Sequence, residues 1–165
     1  MELEKEILTH AARIGNLEIL NELIHKQVNL NQRDPKGYTP LILACYNNQY
    51  EAAKLLLENG ADVNAADDGG NTALMGACFK GYANIAELLI QNGAVLDQQH
   101  GNGGTALMFA TMFGRNELVK LLLVYGANAS LCDNRGLTAI DLAAQQGNEE
   151  AISLLQNSQQ EFATK

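Results

Sequence analysis

A register of 33 residues governs this chain. Cut after Arg33, the rest falls without a gap into DPKGYTPLILACYNNQYEAAKLLLENGADVNAA, DDGGNTALMGACFKGYANIAELLIQNGAVLDQQ, HGNGGTALMFATMFGRNELVKLLLVYGANASLC and DNRGLTAIDLAAQQGNEEAISLLQNSQQEFATK. Four columns repeat chemically as well as numerically: Gly37, Gly70, Gly103 and Gly136; Thr39, Thr72, Thr105 and Thr138; Leu41, Leu74, Leu107 and Ile140; Ala44, Ala77, Ala110 and Ala143. Self-similarity at this period means an array in which each unit buries its apolar side against its neighbours, because one unit alone cannot hide that side from water. The expected organisation is one domain over 1–165, with units at 34–66, 67–99, 100–132 and 133–165. Residues 1–33 join the frame at Leu8, with Ala11, Gly15, Leu23 and Ile24 in register, but lack the opening Gly and Thr. That marks an N-terminal capping repeat, and the polar last helix marks 133–165 as its C-terminal counterpart.

Each column has a physical reason. The opening Gly permits positive φ in a turn, and the Thr two residues later can cap a helix whose first position is Pro40 or an alanine. A first helix of about nine residues is predicted to stop at Gly81, Gly114 or Gly147, with Asn48 in the same column as the next most tolerant residue. A second helix then carries Leu55, Leu56 and Leu57, or Leu121, Leu122 and Leu123, and ends at Gly60, Gly93 or Gly126. Stretches such as Ala61 to Ala66 must lead back to the next turn as extended loops. The alanine column lets first helices approach closely, and the leucines supply buried area.

Turn Gly, Thr-Pro-Leu or Thr-Ala-Leu, Ala, Gly, Leu-Leu and Gly-Ala-Asp-Val-Asn together resemble the ankyrin repeat, over essentially the whole chain. The resemblance implies a mainly α solenoid of stacked helix-turn-helix pairs joined by β-turn, hairpin-like loops. It implies a non-catalytic protein-protein interaction module that binds a partner protein on its concave face. Two departures stand out. Where the family pattern has histidine after Thr-Pro-Leu, this chain has Ile42, Met75, Met108 and Asp141, which puts one inter-repeat hydrogen bond in question. His100 and Gly101 replace the usual Asp-led turn, which predicts a looser loop there. The stretch Leu55 to Asn64 also resembles ankyrin segments whose asparagine is hydroxylated by an oxygen-sensing dioxygenase. A structural role, with Asn64 bonding its own loop, is the favoured reading.

Carried over column by column, the family's contact surface falls on Arg13, Tyr46, Phe79, Met112 and Gln145, then Ile14, Asn47, Lys80, Phe113 and Gln146, with Tyr38, Asn71, Gly104 and Leu137 at the turn. The expected protein-binding residues are Tyr38, Tyr46, Asn47, Asn71, Phe79, Lys80, Met112, Phe113, Arg135 and Leu137. Tyr46, Phe79 and Met112 form an apolar ladder at roughly the 8–10 Å spacing of packed helices, flanked by polar ends as a binding patch should be. The competing reading has Phe79, Met112 and Phe113 tucked between loops as core. Met75 and Met108 are expected to pack.

The remaining signals point away from chemistry. A formal charge of −8, from 11 Lys plus Arg against 19 Asp plus Glu, repels phosphates and anionic lipid, so neither nucleic acid nor membrane is expected. Gly101-Asn102-Gly103-Gly104-Thr105 mimics a phosphate cradle but lacks its lysine. Cys45 and Cys78, one repeat apart, exceed the roughly 4.4–6.8 Å a disulfide allows and read as small buried residues, while Cys132 lies alone in a loop. His10, His25 and His100 have no ligand spacing for zinc. Asp34, Asp67 and Asp133 bond turn amides, and Asp141 serves the start of its helix. No nucleophile, base and orienting group assemble, so no catalytic residue, metal or cofactor is expected. The first twenty residues lack the apolar core of a secretory signal, and no apolar run is long enough to span a bilayer, which points to the cytoplasm. A monomer with one unidentified partner protein is expected. The alternative is a stoichiometric inhibitor or regulatory subunit of an enzyme, for example a stress-defence enzyme.

Overall fold

The computed structural model describes residues 1–163. Ten helices follow one another: α1 (Glu2–Ile14), α2 (Leu17–His25), α3 (Pro40–Tyr46), α4 (Tyr50–Glu58), α5 (Ala73–Lys80), α6 (Ala83–Gln91), α7 (Ala106–Met112), α8 (Asn116–Val124), α9 (Ala139–Gln145) and α10 (Glu149–Ala163). The odd-numbered helices pack in one row, α1 on α3 on α5 on α7 on α9, and the even-numbered helices in a second row behind it. Extended pairing among the described residues is confined to one bridge, Ala66 with Thr72, so the fold is the mainly α solenoid expected.

The repeating columns explain this stacking. Ala44, Ala77, Ala110 and Ala143 are fully buried where odd helices meet, and their small side chains allow the close approach. Leu56, Leu89, Leu122 and Leu155, one in each of α4, α6, α8 and α10, have no exposed surface. Each helix starts where its threonine dictates: Thr39, Thr72, Thr105 and Thr138 have extended backbones, and their hydroxyls accept from the backbone N–H three residues on. Helices α3, α5, α7 and α9 are 7 or 8 residues long rather than nine, because in α3, α7 and α9 one cap residue stands between the helix and the left-handed position. Asn48 takes that left-handed position at φ 57° in place of glycine. Without an opening turn, α1 runs to 13 residues, and α10 spans 15.

The histidine column has been refilled by two other chemistries. Met75 is buried, and its Sδ accepts the Thr72 N–H at 3.5 Å. Asp141 Oδ2 accepts the Thr138 N–H and hydroxyl, both at 2.9 Å. These two bonds, the N–H first, hold the Asp141 carboxyl below its usual range.

Two loop expectations are corrected. Asn64 does not spend its side chain on its own loop: Oδ1 accepts the Val95 N–H at 2.8 Å and Nδ2 donates to the Gly93 carbonyl at 3.2 Å, both in the next unit. Asn31 and Asp97, in the same column, accept in the same way from the N–H groups of Asp62 and Asn128, each at 2.8 Å. Asn64→Ala should therefore lower the unfolding free energy by about 1–2 kcal/mol, since it orphans an amide and a carbonyl between units. A urea titration checks this, and a loss below a few tenths would refute it. The loop at His100 is not looser. The His100 N–H donates to the Gly104 carbonyl as that of Asp67 does to the Asn71 carbonyl, and His100 Nδ1 accepts the Asn102 N–H at 3.3 Å where Asp67 Oδ1 accepts that of Gly69 at 2.9 Å. The imidazole thus stands in for the carboxylate. It also needs room: a Cβ on Gly104 would lie 2.6 Å from His100 Nε2, so the bare residue there accompanies the histidine.

Candidate protein-binding face

The side of the odd helices turned away from the even row begins with a defect. Position 76 is a glycine inside α5, in the column that holds Leu43, Phe109 and Leu142 in neighbouring units. A missing side chain in a packed column leaves space. A groove of about 290 Å³ opens there, walled by Ile42, Leu43, Tyr46, Met75, Phe79 and Phe109. Tyr38 and Asn71 border it at the hairpin end.

Along the groove lies an aromatic row. The Tyr46 and Phe79 rings are parallel within 5° with centroids 6.1 Å apart, and Phe79 meets Phe113 edge-on at 4.6 Å. Such contacts fix the rings in place beyond what area burial provides. Lys80 Nζ lies 4.8 Å over the Tyr46 ring, a cation-π contact. Tyr46 and Phe113 remain 42% and 43% exposed, so the row is rigid yet open to solvent. Phe79, expected to be exposed, is half-buried because its two aromatic neighbours cover it.

The expected site residues separate into two groups. Tyr38, Tyr46, Phe79, Lys80 and Phe113 converge on this groove and its aromatic rim. Met112 instead lines a second groove toward the hairpins with His100, Phe109 and Arg135, so the ladder changes column at its third rung, from Met112 to Phe113. Leu137 is half-buried at its turn. Three polar members are occupied locally: Asn47 Nδ2 donates to the Leu43 carbonyl at 2.8 Å, Asn71 Nδ2 to both Asp67 carboxylate oxygens at 3.1 Å, and Arg135 pairs with Asp133 at 2.8 Å. The Arg135 bond holds the Asp133 carboxyl below its usual range, assisted by the Leu137 and Arg135 amides. Gly76 and Phe109 went unnoticed in the sequence. The signal was present as a column that reads Leu43, Gly76, Phe109 and Leu142, but only the packed structure shows that Gly76 makes a hole and Phe109 its wall.

Among the described residues no group of three His, Cys, Asp or Glu side chains is placed to hold a metal ion, and no helix is long and apolar enough to cross a membrane. Cys45 and Cys78 are buried free thiols and Cys132 is an exposed one.

Comparison with known proteins agrees with this architecture. The family model for ankyrin repeats (3 copies) matches residues 8–100 and 92–165. Palmitoyltransferase akr1 of Emericella nidulans is 39% identical over 57 residues, which are 34% of this chain and 8% of that protein. A putative ankyrin repeat protein of Rickettsia bellii is 42% identical over 53 residues, 28% of this chain and 32% of the relative. The chain thus matches only a small part of either relative's length. With the family model spanning nearly every unit and the stacked helix pairs it describes in place, the chain belongs to the ankyrin-repeat family.

Proposed function

We propose that this chain is a monomeric, non-catalytic, cytoplasmic binding module that holds a partner protein across the face formed by α3, α5 and α7. Ankyrin repeats are protein-interaction modules, which gives the class of partner. The carrying observation is the rigid aromatic row of Tyr46, Phe79 and Phe113 left open above a core that is already closed. Exposed aromatics held in one geometry are the anchors that interfaces use, because little rotamer freedom is lost when they are covered. Met112, Leu137 and the hairpin residues Tyr38, Asn71 and Arg135 form the rim. The working units are 34–66, 67–99 and 100–132, with 1–33 and 133–165 as caps.

Affinity capture from native lysate, with wild type beside a Tyr46→Ser, Phe79→Ser, Phe113→Ser variant, tests the face. Recovery of the specific partner should fall at least about tenfold, the loss of a hot-spot cluster. Equal recovery by both proteins would exclude this surface. A thermal melt accompanies the assay, since Phe79 is half-buried and its loss also reduces stability.

A further inference from the structure

The charge on this protein is distributed unevenly. Despite the net −8, the helices α3, α5 and α7 carry one ionisable charge between them, Lys80, and Arg115 stands in the turn between α7 and α8. The carboxylates lie elsewhere, with Glu18, Glu51, Glu117 and Glu150 in one column of the even helices. Among the described residues the ion pairs involve Lys5, Lys26, Arg33, Arg135 and the N-terminus, but not Lys80 or Arg115. Lys80 lies over Tyr46, and Arg115 donates through Nε to the Phe79 carbonyl at 3.3 Å, beside the same aromatic row. At the opposite, hairpin end of the groove the Asp67 carboxylate is filled by the Gly69 and Asn71 amides and the Asn71 side chain.

We infer that the occupant of this face is an acidic peptide segment of a partner protein, with one apolar side chain seated in the hollow over Gly76 and its carboxylates meeting Lys80 and Arg115. The inference rests on the proposed use of this face for protein binding. The hollow supplies an apolar anchor site of about 290 Å³, and the two cations at its helix-end rim supply the charge complement. Electrostatic complementarity of this kind selects partners and sets the register of binding. The filled Asp67 at the other end gives the segment a direction, with its acidic stretch toward the turn that carries Arg115.

Random 16-residue peptides displayed on phage are selected against the full chain, against Lys80→Glu with Arg115→Glu, against Gly76→Leu, and against Tyr46→Ser with Phe79→Ser. Wild type should enrich peptides rich in Asp and Glu around one large apolar residue. A synthetic peptide of that sequence should bind at least about tenfold more weakly to the charge-reversed chain and to Gly76→Leu. Circular dichroism melts establish that each variant folds, and the surface charge reversal serves as the test should Gly76→Leu fail to fold. Peptides without acidic bias that still lose binding to the Tyr46→Ser, Phe79→Ser chain would overturn the inference and leave the face intact. Peptides that bind every variant equally would overturn both readings. Failure to enrich any peptide would overturn the inference, with the capture experiment deciding the face. Concentration-dependent self-association lost in the same variants would assign the groove to a second copy and overturn it as well.

Discussion

Leu89→Ala is expected to remove about 3–5 kcal/mol of stability, the upper part of the range for a buried leucine whose surroundings cannot collapse. Leu89 has no exposed surface and sits in α6, the middle of the even row, between Leu56 and Leu122 in neighbouring helices. Each unit in a solenoid is held by its neighbours on both sides, so a cavity in the central unit weakens two interfaces at once. Leu155→Ala lies in the same column but in α10, which packs within the even row against α8, and should cost less. Equilibrium urea denaturation followed by circular dichroism measures both. The Leu89 variant should also show a broadened or biphasic transition, as the two halves of the array begin to unfold separately. A loss below about 1 kcal/mol, or equal losses at the two positions, would mean that the leucine column does not carry the stack.

The second large effect is alkaline. Cys45 and Cys78 are buried between odd helices, and desolvation of the thiolate pushes each thiol from its ordinary 9.0 up to about 12. The folded state therefore favours the protonated thiol. The contribution is fully present below pH 9 and diminishes as pH rises toward about 12, since the unfolded chain can ionise and the folded chain cannot. Three pKa steps correspond to roughly 4 kcal/mol per thiol at the top of that window. Tyrosines and lysines titrate over the same range, so the measurement is a difference: unfolding free energy from pH 8 to 11.5 for wild type and for Cys45→Ala with Cys78→Ala. Alanine suits the column, which already holds Ala12 and Ala144, while Thr111 fills it by donating its hydroxyl to the Leu107 carbonyl at 2.8 Å. The wild-type curve should fall more steeply above pH 9. Parallel curves would refute the assignment. A thiol reagent at neutral pH should likewise modify Cys132 in the native protein and the two buried cysteines only after unfolding.

The parts of the fold legible in sequence were those set by local chemistry repeated at a fixed interval. A threonine before an apolar run specifies a cap wherever it occurs, so Thr39, Thr72, Thr105 and Thr138 located the helix starts. Alanine and leucine columns located the two buried faces. What escaped depended on side-chain direction between units. Asn64 reaches forward to Val95 and Gly93, a choice that its spacing within one repeat does not reveal. Phe79 meets Phe113 rather than Met112, a matter of side-chain direction that a column alignment does not record. His100 was read as the loss of an aspartate, although an imidazole nitrogen accepts the same amide. The groove escaped because a column records which residue is present and not the space that a missing side chain leaves behind.

The Gly76 position also bears on how the array deforms. A glycine within a helix forfeits about 1 kcal/mol relative to alanine, and a Cβ added at this one would meet its nearest neighbour, Tyr46 Cδ2, at an unstrained 3.5 Å. Helix α5 thus forgoes stability that its surroundings would readily accept. Gly76→Ala should accordingly raise the unfolding free energy by up to about 1 kcal/mol while narrowing the hollow, so the open floor of the groove is kept at the expense of the helix beneath it.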